Sequence, residues 1–141
     1  EEILHLRPTT PFREVDIIDL AIKKFKDSNQ FTSLRSAHIS NYCPFKWFEL
    51  EGKLFYPIIK NQNNDEIQNK PRQNFPLVYI PNGYVDIVKK SIFREGKIFH
   101  GNKIMAFITK SVPDIDLSSD LLSAKKNPNL QQIAKLIKSK I

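Results

Sequence analysis

Ile3-Leu4-His5-Leu6-Arg7-Pro8-Thr9-Thr10-Pro11, with Val15 to Phe25 and then Phe31 to Ile39, is the stretch that decides the fold. Residues 3–6 form a short, mostly apolar run closed by Pro8, the pattern of a strand buried on both faces of a parallel sheet. From Val15 to Phe25 the apolar residues Val15, Ile18, Ala21, Ile22 and Phe25 keep a helical period. Glu14 and Asp16 stand at the start of this helix and Lys23, Lys24 and Lys26 at its end, complementing the helix dipole. Asp27-Ser28-Asn29-Gln30 stops it, and Phe31 to Ile39 reads as a second strand. Strand, helix, strand is the unit of an α/β sheet. A first strand that wants partners on both edges also leads one to expect chain before residue 1.

Further along, Trp47 to Leu50 and Lys53 to Tyr56 flank Glu51-Gly52 as a hairpin. A polar stretch from Asn61 to Asn74 follows, a loop or an arm that settles against a partner. Leu77 to Ile80 and Tyr84 to Val88 read as two strands joined at Pro81-Asn82-Gly83, and Ile104 to Thr109 as another. Pro113 to Asp116 forms a loop into a helix that Ser118 or Ser119 can cap. Asn127-Pro128-Asn129 breaks it before a last amphipathic helix from Leu130 to about Lys140.

The length of 141 residues suits one domain, and 40% hydrophobic with 26% charged residues is ordinary for a folded, soluble chain. No apolar run is long enough to span a bilayer, so no membrane association is expected. The lone Cys43 builds no disulfide framework and points to a reducing cytoplasm. The net charge of +7 suits an anionic partner. Its cations are scattered and not interleaved with aromatics, which disfavours nucleic acid. His5, His38 and His100 are widely spaced and read as structural or surface residues.

Four stretches, in order, resemble the acylneuraminate cytidylyltransferases: Leu6-Arg7-Pro8-Thr9-Thr10-Pro11-Phe12-Arg13; Pro44-Phe45-Lys46; Pro71-Arg72-Gln73 with Pro81-Asn82-Gly83; and Asp114-Ile115-Asp116. The resemblance implies a partial Rossmann-like sheet of the nucleotide-diphospho-sugar transferase type. It also implies transfer of CMP from CTP to a nine-carbon 2-keto sugar acid, a nonulosonic acid, with Mg²⁺ and release of pyrophosphate. It divides the chain into residues 1–126, the C-terminal part of a cytidylyltransferase domain, and 127–141, a C-terminal helix. Within the first part, 44–76 is a hairpin arm that reaches into the neighbouring subunit of a homodimer.

By the same resemblance Asp114 and Asp116 are the catalytic, metal-binding pair; the alternative is that one of them caps the next helix. The family usually continues with Thr-Glu, where this chain has Leu117-Ser118. Lys46 and Arg72 match basic residues near the sugar-acid carboxylate, contributed across the dimer, with Gln73 a matching substrate-side neighbour of Arg72; the role suits the planar fork of Arg, and the alternative is surface cations. Asn82 matches a sugar contact, although Asn-Gly is also a good hairpin turn. Arg7 and Thr9 fall in the first motif, and Phe99 lies near the family's apolar wall for the acyl group or is a core residue. Two departures bear on specificity: Arg7 stands where sialic-acid enzymes have glutamine, and Asp86 where an aromatic is common. They suggest a different acceptor, of legionaminic or pseudaminic type.

Family members open with a strand and a Gly-, Ser- and Lys-containing loop that cradles the triphosphate. None of Gly52, Gly83, Gly96 and Gly101 stands in such a loop. The expectation is a cytidylyltransferase lacking its CTP-binding N-terminus and inactive alone. Its rivals are a non-catalytic sugar-acid-binding or dimerisation module and, favoured only by charge, a basic nucleic-acid-binding domain.

Overall fold

The computed structural model describes residues 1–60, 66–94 and 99–126; the expected helix from Leu130, and with it the 127–141 segment, lies outside the described residues. The chain forms two compact units, Ile39–Ile80 and the remainder on either side of it.

The larger unit is mixed α/β. Its strands are β1 (Glu2–His5), β2 (Ser33–Ile39), β5 (Tyr79–Lys89) and β6 (Ile104–Ile108), in the order β1-β5-β2-β6. β1 pairs antiparallel with β5, setting His5 opposite Asp86 and Leu4 opposite Ile87. β2 pairs parallel with β6, setting Arg35 beside Ala106. Lys89 N–H donates to Thr32 O at one end of β5 and Val85 N–H to Ser36 Oγ near its middle, so β5 runs against β2 and brings Asp86 abreast of Arg35. β1, β2 and β6 therefore share one direction, and β5 opposes them.

β1 is not a strand buried on both faces of a parallel sheet: its one partner among the described residues is antiparallel, and Ile3 and Leu4 are each 41% exposed. The two strands expected around Pro81-Asn82-Gly83 are one continuous strand, β5. Gly83 sits inside it at φ 63°, a left-handed kink that only glycine adopts without cost. Asn-Gly thus marks a kink within a strand and not a hairpin turn.

Helix α1 (Val15–Lys26) turns its apolar stripe onto one face of the sheet. Ala21 and Phe25 pack with Leu34, Tyr84, Val85, Ile87 and Phe107, with Ile17, Ile18, Ile22, Phe31 and Met105 around them. Fully burying a side chain such as Phe25, Leu34 or Val85 stabilises by about 1.5–3 kcal/mol. Glu14, the N-cap, offers no side-chain bond; instead its N–H donates to the Tyr84 hydroxyl at 2.6 Å, tying the helix start to β5. Helix α2 (Ser91–Arg94) follows β5, and α3 (Ser118–Lys126) ends the described chain. The α3 entry is capped by neither serine hydroxyl: the Asp120 carboxylate reaches back to accept from Leu117 N–H at 2.8 Å and Asp116 N–H at 3.2 Å.

The smaller unit holds a 3-10 turn at Pro44–Lys46, the hairpin β3 (Phe48–Glu51) and β4 (Leu54–Pro57), and 3-10 turns at Ile67–Asn69 and Arg72–Asn74. Gly52 at φ 62° makes the hairpin's turn, and Leu50, Leu54 and Phe55 are all more than 60% exposed. Phe45 stacks on Phe75 with ring centroids 5.1 Å apart.

Candidate functional site

The carboxyl ends of β1 and β6 carry the loops Arg7–Arg13 and Thr109–Asp116, and the kink of β5 lies beside them. In α/β sheets ligands gather at those strand ends. Arg13 ties the first of these loops to the kink of β5. Its Nε donates to Tyr84 O at 2.6 Å, and its Nη2 to Arg7 O at 2.6 Å and Gly83 O at 3.1 Å. A planar fork that satisfies carbonyls on two segments fixes their separation as a flexible ammonium would not. Burial pulls the Arg13 pKa down, opposed by the fields of Tyr84 and then Asp114. Arg13 therefore also feels the carboxylate that the metal reading singles out.

Asp114 accepts from the buried Thr10 hydroxyl at 3.4 Å, and Ile115 N–H donates to Thr9 O at 2.8 Å, so the first and last motifs lie against each other. Thr9 enters through its carbonyl. Asp114 and Asp116 are both exposed. Asn82 Nδ2 donates to Thr109 Oγ1 at 2.7 Å and to Lys110 O at 3.3 Å, while its Oδ1 accepts from Tyr84 N–H at 3.2 Å. Its amide is committed to holding the β6 exit loop against the kink.

Arg7 and Asp86 are brought together. The Arg7 side chain crosses β5 directly over Gly83, where an added Cβ would stand 2.8 Å from Arg7 Cδ, and its Nη2 ends 3.9 Å from Asp86 Oδ2. His5 Nδ1 lies 3.9 Å from the same oxygen. Asp86 is only 2% exposed, and its Oδ1 has no hydrogen-bond partner. Arg35 Nε and His100 Nδ1 are likewise buried and unpartnered. Burial lowers the His100 pKa, with Arg35 adding to the effect and Asp86 opposing it. Phe99 is half-exposed and meets His5 and Phe93 edge-on at 5.9 Å and 5.7 Å. It is a surface wall over this polar cluster, not a core residue.

Lys46, Arg72 and Gln73 belong to the smaller unit. Lys46 Nζ donates to Lys70 O at 3.0 Å, and Arg72 Nη2 to Ser40 O at 3.2 Å. Arg72 and Gln73 line a cavity of about 470 Å³ with Tyr42, Cys43, Phe75 and Leu77, whereas Lys46 is not among its lining residues.

Arg13 and Arg35 were given no role by sequence reasoning, and His5 and His100 were read as structural or surface residues. Arg13 stood at the end of a quoted motif, but a clamp on distant carbonyls has no local signal. His5 and Arg35 meet Asp86 only through strand pairing. Among the described residues, no group of three or more His, Cys, Asp or Glu is placed to hold a metal ion. Compared with known protein families and with curated proteins, the chain matches none.

Proposed function

We propose that this chain carries the acceptor and metal side of a nucleotidyltransferase that moves CMP from CTP onto a nonulosonic acid. The observation that carries the reading is a meeting of stretches, made by Arg13 on the Arg7 and Gly83 carbonyls and by Thr9 and Thr10 on the Asp114 loop. Three of the stretches that resemble cytidylyltransferases, Arg7–Arg13, Pro81–Gly83 and Asp114–Asp116, lie far apart in sequence and meet at one end of the sheet.

Asp114 and Asp116 fit a magnesium ion held largely by phosphate oxygens and water, since two exposed carboxylates on one loop are a usual protein share for that ion. Bound there, magnesium supplies charge neutralisation at the phosphate. The chain's own residues do the rest. The Ile115 N–H on Thr9 O keeps the Asp114 loop in register with the β1 exit loop, Thr10 orients the Asp114 carboxylate, and Arg7 and Asp86 present a paired charge toward the acceptor. Arg72, with Gln73, is the guanidinium that a second copy of the chain would contribute to the sugar-acid carboxylate. The exposed apolar hairpin supports a homodimer in which β3 and β4 find cover on a second copy.

The test is pyrophosphate release from CTP by the full-length gene product, offered a panel of nonulosonic acids. The reading expects Mg²⁺-dependent release, a preference for a legionaminic or pseudaminic type over N-acetylneuraminate, and loss of turnover in Asp114→Asn/Asp116→Asn. No release with any nonulosonic acid overturns it. Release that prefers N-acetylneuraminate overturns only the acceptor assignment.

A further inference from the structure

The sheet face opposite α1 carries a transverse polar row, His5 on β1, Asp86 on β5 and Arg35 on β2. Two of its atoms are buried and lack partners: Asp86 Oδ1, which can only accept from a donor while ionised, and Arg35 Nε, which can only donate. A buried polar group without a partner is costly, more so when charged, so each such group calls for an explanation. Here one acceptor and one donor stand on neighbouring strands, abreast of each other.

We infer that this row reads an uncharged hydroxyl of the ligand's polyol chain, with Asp86 accepting its proton side and Arg35 donating to its oxygen. The inference rests on the acceptor site proposed above and names the part of the acceptor that Asp86 selects. Charge decides among ligand groups. An ammonium set beside Asp86 would face the guanidinium groups of Arg7 and Arg35. A carboxylate set there would face Asp86 at close range. A hydroxyl escapes both penalties, and it alone donates and accepts from one atom. Half-exposed Phe99 and Phe93, stacked edge-on, supply an apolar wall beside the row for the carbon side of such a chain. Gly83 belongs to the same device, because a side chain there would push Arg7 off its path to Asp86.

The experiment uses the whole chain, isotope-labelled, and two probes. One is N-acetylneuraminic acid, which carries a three-hydroxyl tail. The other is its seven-carbon analogue, shortened by periodate cleavage and reduction. Amide shifts report the site and the dissociation constants. The intact probe should move the amides of residues 85–87, Arg35 and His100 and bind about tenfold tighter than the shortened one, the effect of one charge-assisted hydrogen bond. Asp86→Asn should remove most of that ratio. Equal affinities of the two probes for the unaltered chain overturn the inference and leave the acceptor reading standing; a water molecule then serves Asp86 and Arg35. Silence of both probes likewise overturns the inference, while the acceptor reading, which prefers another nonulosonic acid, is decided by the pyrophosphate assay. Because the probe pair decides on the unaltered chain, the test does not depend on the variant folding.

Discussion

Replacing Gly83 by alanine perturbs the point where β5, Arg7 and the Thr10 loop touch. Two separate costs follow from the geometry. The φ of 63° places an L-residue in the left-handed region, which costs roughly 1–2 kcal/mol. The new Cβ would stand 2.8 Å from Arg7 Cδ and 3.1 Å from Thr10 Oγ1, and forcing Arg7 off its rotamer adds about 0.5–1.5 kcal/mol. Gly83→Ala should therefore destabilise by about 2–3 kcal/mol, a large share of the 5–15 kcal/mol typical of a domain. Urea unfolding followed by fluorescence and circular dichroism measures it. A double-mutant cycle separates the terms: in an Arg7→Ala background the collision with Arg7 disappears, the tight Thr10 contact stays, and Gly83→Ala should cost only about 1–2 kcal/mol. An identical cost in both backgrounds would show that Arg7 does not cross the glycine and would refute the placement of Arg7 over β5.

Arg13→Lys should destabilise by about 2 kcal/mol in the same unfolding assay, since a lysine cannot satisfy the Arg7, Gly83 and Tyr84 carbonyls together. Tyr84→Phe leaves the Glu14 N–H without its acceptor and should cost about 1 kcal/mol, with fraying of α1 visible as faster amide exchange at residues 15–18. Because burial and Arg35 hold the folded-state pKa of His100 below its unfolded value, the neutral ring is favoured in the fold. Its contribution is present above about pH 6.5 and is lost as pH falls through the folded pKa; His100→Gln should flatten that acid limb of a melting-temperature profile. Leu54→Lys with Phe55→Lys should shift the chain to monomer in sedimentation velocity if the hairpin is the dimer contact proposed above.

The α/β class was legible because α1 and the strands at 33–39 and 104–108 are local patterns, a 3.6-residue apolar stripe and short β-rich runs. The hairpin was legible for the same reason, through Glu51-Gly52. What escaped was set by long-range pairing. The direction of β5 cannot be read from residues that suit either a turn or a kink, and Asn82-Gly83 resolved as a kink because Asn82 is held by Thr109 and Arg7 lies across Gly83. The coverage of β1 was misjudged because an apolar run shows what a strand can bury, not which side is covered. In the site, Asp114, Asp116, Arg7 and Asp86 were named from motif resemblance. The physical reasons that join them, Arg13 on three carbonyls and Asp86 abreast of Arg35, depend on which strands are neighbours.

Manganese in place of magnesium tests the metal end of this site most directly, through paramagnetic broadening of the labelled chain in the presence of CMP. The account predicts that substoichiometric Mn²⁺ erases the amides of Asp114 to Asp116 and weakens those of Thr10 and Arg13 before any others, and that Asp114→Asn/Asp116→Asn abolishes the effect. Broadening spread evenly over exposed carboxylates such as Glu49 and Glu51, with residues 114–116 no more affected than these, would contradict it.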